Sequence, residues 1–311
     1  MNNVTVIGGG AIPGLRNPSG IAVFGTDADS LVVTDAGNNR VLALWNINTA
    51  RQNISVVATE WAPGRSLNVP RDIYLDIRNE TDLYVSEVGR GLVVLYSNMQ
   101  SVNPPPRIVA GTNDSSATGL QRLYAPNGVR LDKNYNVIVA SKNDHRIIFW
   151  PRNATTGMVI AGLGVAGNGS TGLDSPNGIT LDENNGWLYV ADSGNHRIQR
   201  YSLNDTWPCV GTTVAGGNGP GNGSHQLSTP VDIRLSAKTG AMYIVDSGNN
   251  RIQRWEQGGT QGVTLVGSVT GNAGSSDTRL RNPAVLALNI NETYMYVVDR
   301  GNNRIQQFQL I

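Results

Sequence analysis

The chain has 311 residues, with 24 Lys and Arg against 23 Asp and Glu, so a net charge of +1 leaves no basic surplus for backbone-driven nucleic-acid binding. Cys209 is the one cysteine, which excludes an internal disulfide, and no run is apolar over the length that a membrane-spanning helix needs. Three histidines are thin material for a histidine-rich metal centre.

In chain order, the first predicted element is a short strand, Val4-Thr5-Val6-Ile7-Gly8-Gly9. A unit of three anchors then recurs. The first anchor is a proline opening an apolar strand: Pro18-Ser19-Gly20-Ile21, Pro70-Arg71-Asp72-Ile73, Pro126-Asn127-Gly128-Val129, Pro176-Asn177-Gly178-Ile179, Pro230-Val231-Asp232-Ile233 and Pro283-Ala284-Val285-Leu286. The second is an apolar run that meets an acid or serine, then a turn, then a strand opened by Arg. Tyr189-Val190-Ala191-Asp192-Ser193-Gly194-Asn195-His196-Arg197 is one copy, and Tyr243 to Arg251 and Tyr296 to Arg304 nearly repeat it. Gly194-Asn195 and Gly248-Asn249 read as turn residues, because both types tolerate positive φ. The third anchor is an outer strand such as Arg107 to Gly111, Met158 to Gly162 or Thr212 to Gly216. Three anchors and the strand after the turn make four strands per unit.

The acid or serine marker falls at residues 35, 87, 141, 192, 246 and 299, in steps of 52, 54, 51, 54 and 53. Such a period with several short strands predicts an all-β, six-bladed β-propeller, one monomeric domain over residues 1–311. The sixth unit ends before an outer strand, and Val4 to Gly9 matches Thr212 to Gly217 almost letter for letter. The N-terminal strand is therefore expected to complete the last blade and close the ring.

Asp35/Arg40, Asp192/Arg197, Asp246/Arg251 and Asp299/Arg304 flank equivalent turns and are expected to be structural staples, since a residue needed in every repeat serves the repeat. Two blades depart from the pattern: blade 2 has Glu87 with Leu92 at the arginine position, and blade 3 has Ser141 with Arg146.

The Pro-x-Gly-Ile, Leu-Tyr-Val-Ala-Asp and Gly-Asn-x-Arg-Ile pattern resembles the NHL repeat family across the whole chain. Asn195-His196-Arg197 shows its Asn-His, with Arg where the family has Leu. The resemblance implies a propeller that serves as a binding module for protein or RNA, as a sensor, or as one of a few enzymes, so it leaves function open. Amidating lyases of this family use several histidines as zinc ligands. Here His145 and His196 fall in turns and His225 in a loop, which speaks against such a site, and Cys209 lies beside an outer strand with no Cys/His arrangement in view.

Candidate functional residues lie where the inner strands meet at the channel mouth. Asp72 and Asp232 belong to blades three apart and face each other. With Asn127 and Asn177 they could offer oxygen ligands to Ca2+, or cap strand ends and hold water. Two places on, Arg130 and Arg234 could receive an anionic ligand, or neutralise Asp72 and Asp232. Arg71 completes the set. Nine Asn-x-Ser/Thr acceptors, at Asn3, Asn53, Asn79, Asn113, Asn153, Asn168, Asn204, Asn222 and Asn291, suit a glycosylated extracellular or cell-surface domain; a cytoplasmic one is the alternative. The expected function is a non-catalytic binding or scaffold propeller without a cofactor, presenting inter-blade loops and the channel mouth to a protein or small polar ligand. A Ca2+-dependent hydrolase or lyase and an RNA-binding propeller remain as alternatives.

Overall fold

The structure is a computed structural model that describes residues 4–7, 12, 14–25, 30–47, 53–62, 64–76, 78, 81–99 and 105–310. Six antiparallel four-stranded sheets form the blades of a propeller. Blade 1 is Pro18–Phe24, Ser30–Asp35, Arg40–Trp45 and Asn53–Ala58; blade 2 is Pro70–Leu75, Leu83–Glu87, Leu92–Tyr96 and Arg107–Gly111. Blade 3 is Pro126–Leu131, Val137–Ser141, Arg146–Trp150 and Met158–Ala161; blade 4 is Pro176–Asp182, Trp187–Asp192, Arg197–Ser202 and Thr212–Gly216. Blade 5 is Pro230–Leu235, Met242–Asp246, Arg251–Trp255 and Gly262–Gly267. Blade 6 takes Val285–Leu288, Tyr294–Asp299 and Arg304–Gln309 from the end of the chain and Val4–Ile7 from its start. That first strand pairs antiparallel with the third strand of the blade, Val4 opposite Phe308 and Ile7 opposite Ile305, so the expected ring closure is present. The only helical segments among the described residues are single 3-10 turns, and no helix is long and apolar enough to cross a membrane.

The second strand of each blade reads as an apolar run because it is buried on both faces. Side chains alternate along a strand, so Leu31 and Val33 pack against blade 6 while Val32 packs against blade 2. The same alternation gives six apolar layers, one between each pair of neighbouring blades. No single centre holds the molecule; the core is a ring of inter-blade layers. Trp150, Trp255, Tyr201 and Tyr296 are among the largest fully buried side chains and each belongs to a different one of these layers.

Each staple aspartate does more than pair with its arginine. Asp246 is fully buried and accepts three donors: the Ser228 N–H at 2.6 Å, Asn249 Nδ2 at 2.8 Å and Arg251 Nε at 2.7 Å. Asp35, Asp192 and Asp299 repeat this with Arg16, Asp174 and Arg281 N–H groups, with Asn38, Asn195 and Asn302, and with Arg40, Arg197 and Arg304. Arg251 then donates to the carbonyls of Asn222, Gly223 and Gln226 in the preceding loop. One carboxylate thus fixes the turn, the next strand and the inter-blade loop.

The expected glycine role in the turns is corrected. The left-handed residue is the one that closes the 3-10 turn, after Asn or, in blade 3, after Asp144: Asn39, His145, His196, Asn250 and Asn303, with φ between 51 and 54°. Gly194 is instead required for close approach, since a Cβ there would meet Asp174 Cγ at 2.3 Å, and its N–H donates to the Asp174 carbonyl. The left-handed residue also ties neighbouring blades. His196 Nδ1 accepts the N–H of Thr229 at 3.0 Å, and Asn39, His145, Asn250 and Asn303 accept those of Val69, Ser175, Asn282 and Asn17. The residue before every anchor proline has positive φ, from 45 to 56°. For β-branched Val69 and Thr229 this is a strained setting, held by the hydrogen bond from the neighbouring blade.

The two departing blades rebuild the staple. In blade 2, Arg90 replaces the missing arginine and reaches Glu87 Oε1 at 3.0 Å from within the turn. In blade 3, Ser141 Oγ takes the loop N–H of Tyr124, and the acid moves to Asp144, which pairs with Arg146.

Asp246→Ala should cost about 3–5 kcal/mol, because it strands Arg251 in the interior. Chemical denaturation checks this, and native stability would remove the staple role. A second expectation concerns Glu87, whose Oε2 is buried without a partner. Burial pushes this carboxyl up to about 7, against the pull of Arg90 and the Asn68 N–H. A raised folded value means stability is greatest below 4.5 and is lost as pH rises through about 7. Glu87→Gln should flatten that decline by up to about 1.4 kcal/mol per pH unit; a melting profile parallel to wild type would contradict it.

Candidate functional site

The inner strands surround a central channel, and all begin at the same end of the ring as the 3-10 turns. At this end, the mouth, blades 1 to 5 carry a bulge just after the anchor proline, for example between Pro70 and Ile73 and between Pro126 and Val129. A bulge removes residues from the ladder and re-aims their side chains. Here it takes Arg71, Asp72, Asn127 and Asn177 out of the ladder, while Asp232 keeps its place opposite Val245 and only Val231 is skipped.

Asp72 and Asp232 do not stand as free carboxylates. Asp72 Oδ2 accepts Arg130 Nη1 at 2.9 Å and the Val129 N–H at 3.1 Å. Asp232 Oδ1 accepts Arg234 Nη1 at 2.7 Å, and its Oδ2 accepts the Leu286 N–H at 3.1 Å. Arg130 and Arg234 therefore serve as counter-ions to the two aspartates. Burial raises the Asp232 carboxyl; Arg234 opposes that shift and Asp72 adds to it. Burial lowers the Arg234 guanidinium, and the charge of Arg130 lowers it further. These four groups form a neutral quartet across the channel. Two of its atoms, Asp72 Oδ1 and Arg130 Nη2, are buried without a hydrogen-bond partner.

A Ca2+ site does not fit this donor set. Each carboxylate already faces a guanidinium, and no group of three His, Cys, Asp or Glu among the described residues could hold a metal. His145 and His196 spend Nδ1 on neighbouring backbone N–H groups, and His225 is exposed in a loop. Cys209 is buried between blades 3 and 4, where burial and Asp205 push its thiol up to about 11.

Above the quartet, Arg71 is half-buried beside the mouth, with the side-chain amides of Asn127 and Asn177 at equivalent positions in the next two blades. Two further cations, unforeseen from sequence, join them. Lys142 and Arg300 open the turns of blades 3 and 6, where the other blades carry Ala36, Val88, Ser193 and Ser247. That break in a run of small or apolar residues was the available signal. Burial pushes Arg71 down to about 10, and Arg300 adds to the shift while Asp72 opposes it. Lys142 is lowered by burial and then by Arg71 and Arg300, which places the three charges in one neighbourhood.

A cavity of about 670 Å3 lies elsewhere, between the outer edge of blade 2 and blade 3, lined in part by Tyr84, Arg107, Tyr135, Trp150 and Arg152. It shares no residue with the channel candidates. Loops form much of its wall, where the repeat carries no positional information. Of the acceptor asparagines, Asn53, Asn113, Asn153, Asn168, Asn204, Asn222 and Asn291 are all exposed, while Asn3 and Asn79 lie outside the described residues.

The NHL repeat family model matches residues 173–201. The chain is similar to NHL repeat-containing protein 2 of Bos taurus, 24% identical over 91% of this chain and 45% of the relative, so it spans less than half of that protein. Among solved structures, a gluconolactonase from Xanthomonas campestris superposes with a TM-score of 0.66 at 13% identity, covering 94% of this chain and 86% of that one. A virginiamycin B lyase from Staphylococcus aureus, solved with quinupristin, superposes with a TM-score of 0.61 at 13% identity over 99% of both chains. At these identities the two structures share the fold. The chain is a six-bladed β-propeller that carries an NHL repeat and is similar to NHL repeat-containing proteins.

Thermal unfolding in EDTA, then with Ca2+ or Zn2+ restored, should give one melting temperature throughout, since no donor set among the described residues awaits a dication. A Ca2+-dependent rise that Asp72→Asn and Asp232→Asn abolish would place a cation in the quartet instead.

Proposed function

We propose that this propeller is a non-catalytic binding module that presents its channel mouth and the adjoining loops to a protein or a small polar ligand. The observation that carries the reading is a division of labour in the channel. The carboxylates that could do chemistry are neutralised in the quartet, whereas the partly buried cations Arg71, Lys142 and Arg300 around the mouth have no ion-pair partner among the described residues. A rigid frame with free donors at one end suits recognition. Exposure of all seven described glycosylation acceptors supports an extracellular or cell-surface setting.

A second reading is a hydrolase or lyase like the gluconolactonase and virginiamycin B lyase that share the fold. The unpartnered Oδ1 of Asp72 favours it, as an oxygen still able to accept a proton or orient water. A turnover screen against lactones and cyclic ester peptides, with and without divalent cations, separates the two. The binding reading expects no saturable turnover. Turnover lost in Asp72→Asn, with the fold intact by circular dichroism, would transfer the function to the enzyme class.

A further inference from the structure

We propose that the channel mouth is a site for a small polyvalent oxyanion, gripped by Arg71, Lys142 and Arg300, with the amides of Asn127 and Asn177 as neutral donors. This rests on the binding reading above and names its ligand chemistry.

The argument starts from position. Arg71, Asn127 and Asn177 follow the anchor prolines of three consecutive blades, inside the bulge that turns them out of the ladder. Lys142 and Arg300 open the turns of blades 3 and 6, which stand opposite each other in a ring of six. All five side chains therefore converge on one opening from several sides.

None of the five side chains is paired with another among the described residues. Among the described residues, eleven arginine or histidine groups sit within ion-pair distance of an acid, and Arg71, Arg300 and Lys142 are absent from that set. Asp72, the acid nearest Arg71 in sequence, is committed to Arg130. The side-chain amides of Asn127 and Asn177, although these residues are only 3% and 7% exposed, make no hydrogen bond to the described protein. The three cations are each partly buried yet unpaired, and their mutual repulsion is visible in the lowered Arg71 and Lys142. A fold that spends charge this way without internal compensation gains from an external anion. Two guanidinium forks and an ammonium offer more donors than one carboxylate can accept, so the ligand carries several anionic oxygens, as a phosphate ester or a polycarboxylate does.

The repeat supplies conservative variants. Ser193 and Ser247 occupy the turn position in blades 4 and 5, so Lys142→Ser with Arg300→Ser places in blades 3 and 6 a residue that this same turn already accommodates. Inorganic phosphate and citrate are titrated by calorimetry and by melting temperature, each against sodium chloride of equal ionic strength. Wild type should show a saturable response to phosphate or to citrate beyond the chloride control; the stronger of the two identifies the source of the oxyanion. Each cation removed should weaken affinity about tenfold or more. Without anion, the double variant should melt no lower than wild type, because a repulsion has been relieved. A wild type that responds only to ionic strength, or a double variant that keeps the full response, overturns the proposal. Such a failure leaves the binding-module reading standing, because that reading is tested by turnover.

Discussion

A buried carboxylate that accepts a loop N–H, an asparagine amide and an arginine Nε is the constraint from which this propeller is built. It closes the turn between the second and third strands and fixes the loop that enters the blade. Through Arg197, Arg251 and Arg304 it also satisfies loop carbonyls that would otherwise be buried unpaired. Removing water from such a cluster is costly, and the cost is recovered only because every donor has an acceptor. Blades 2 and 3 show how firm the requirement is. Each has lost one member of the set, and each restores an acid–arginine contact from a different position in the turn.

The fold was legible because propeller packing writes itself into local sequence. Strands buried on both faces read as apolar runs, and the staple recurs at a fixed offset in blades 1, 4, 5 and 6. The closing strand could be recognised because Val4 to Gly9 copies another blade's outer strand. Less legible was the division of work inside the turns. Gly194 and Asn195 look like the residues of a tight hairpin, yet the positive φ belongs to His196 and the glycine is needed for contact with a loop eighteen or more residues away in the chain. Spacing reveals a repeated residue; it does not reveal which neighbour that residue touches.

The channel was half legible for a related reason. Asp72, Asp232, Arg130 and Arg234 stood out as polar residues on inner strands, and both the ligand role and the neutralising role were open. Rotamer and register decide between them, and here they join acid to base. Lys142 and Arg300 escaped notice because they sit in the repeat's most uniform segment, where attention falls on the shared Asp, Gly and Asn rather than on the odd residue between them.

The bulge after the anchor prolines of blades 1 to 5 has an evolutionary consequence. Because it lifts residues out of the hydrogen-bond ladder, a substitution there changes the lining of the mouth while leaving the pairing of the strand intact. The same holds for the opening residue of each turn, which spans lysine, arginine, serine, alanine and valine within one molecule. Selection can therefore rewrite the sockets blade by blade without renegotiating the frame. A lineage of such propellers would be expected to diversify its ligands faster at these addresses than it drifts anywhere in the staples.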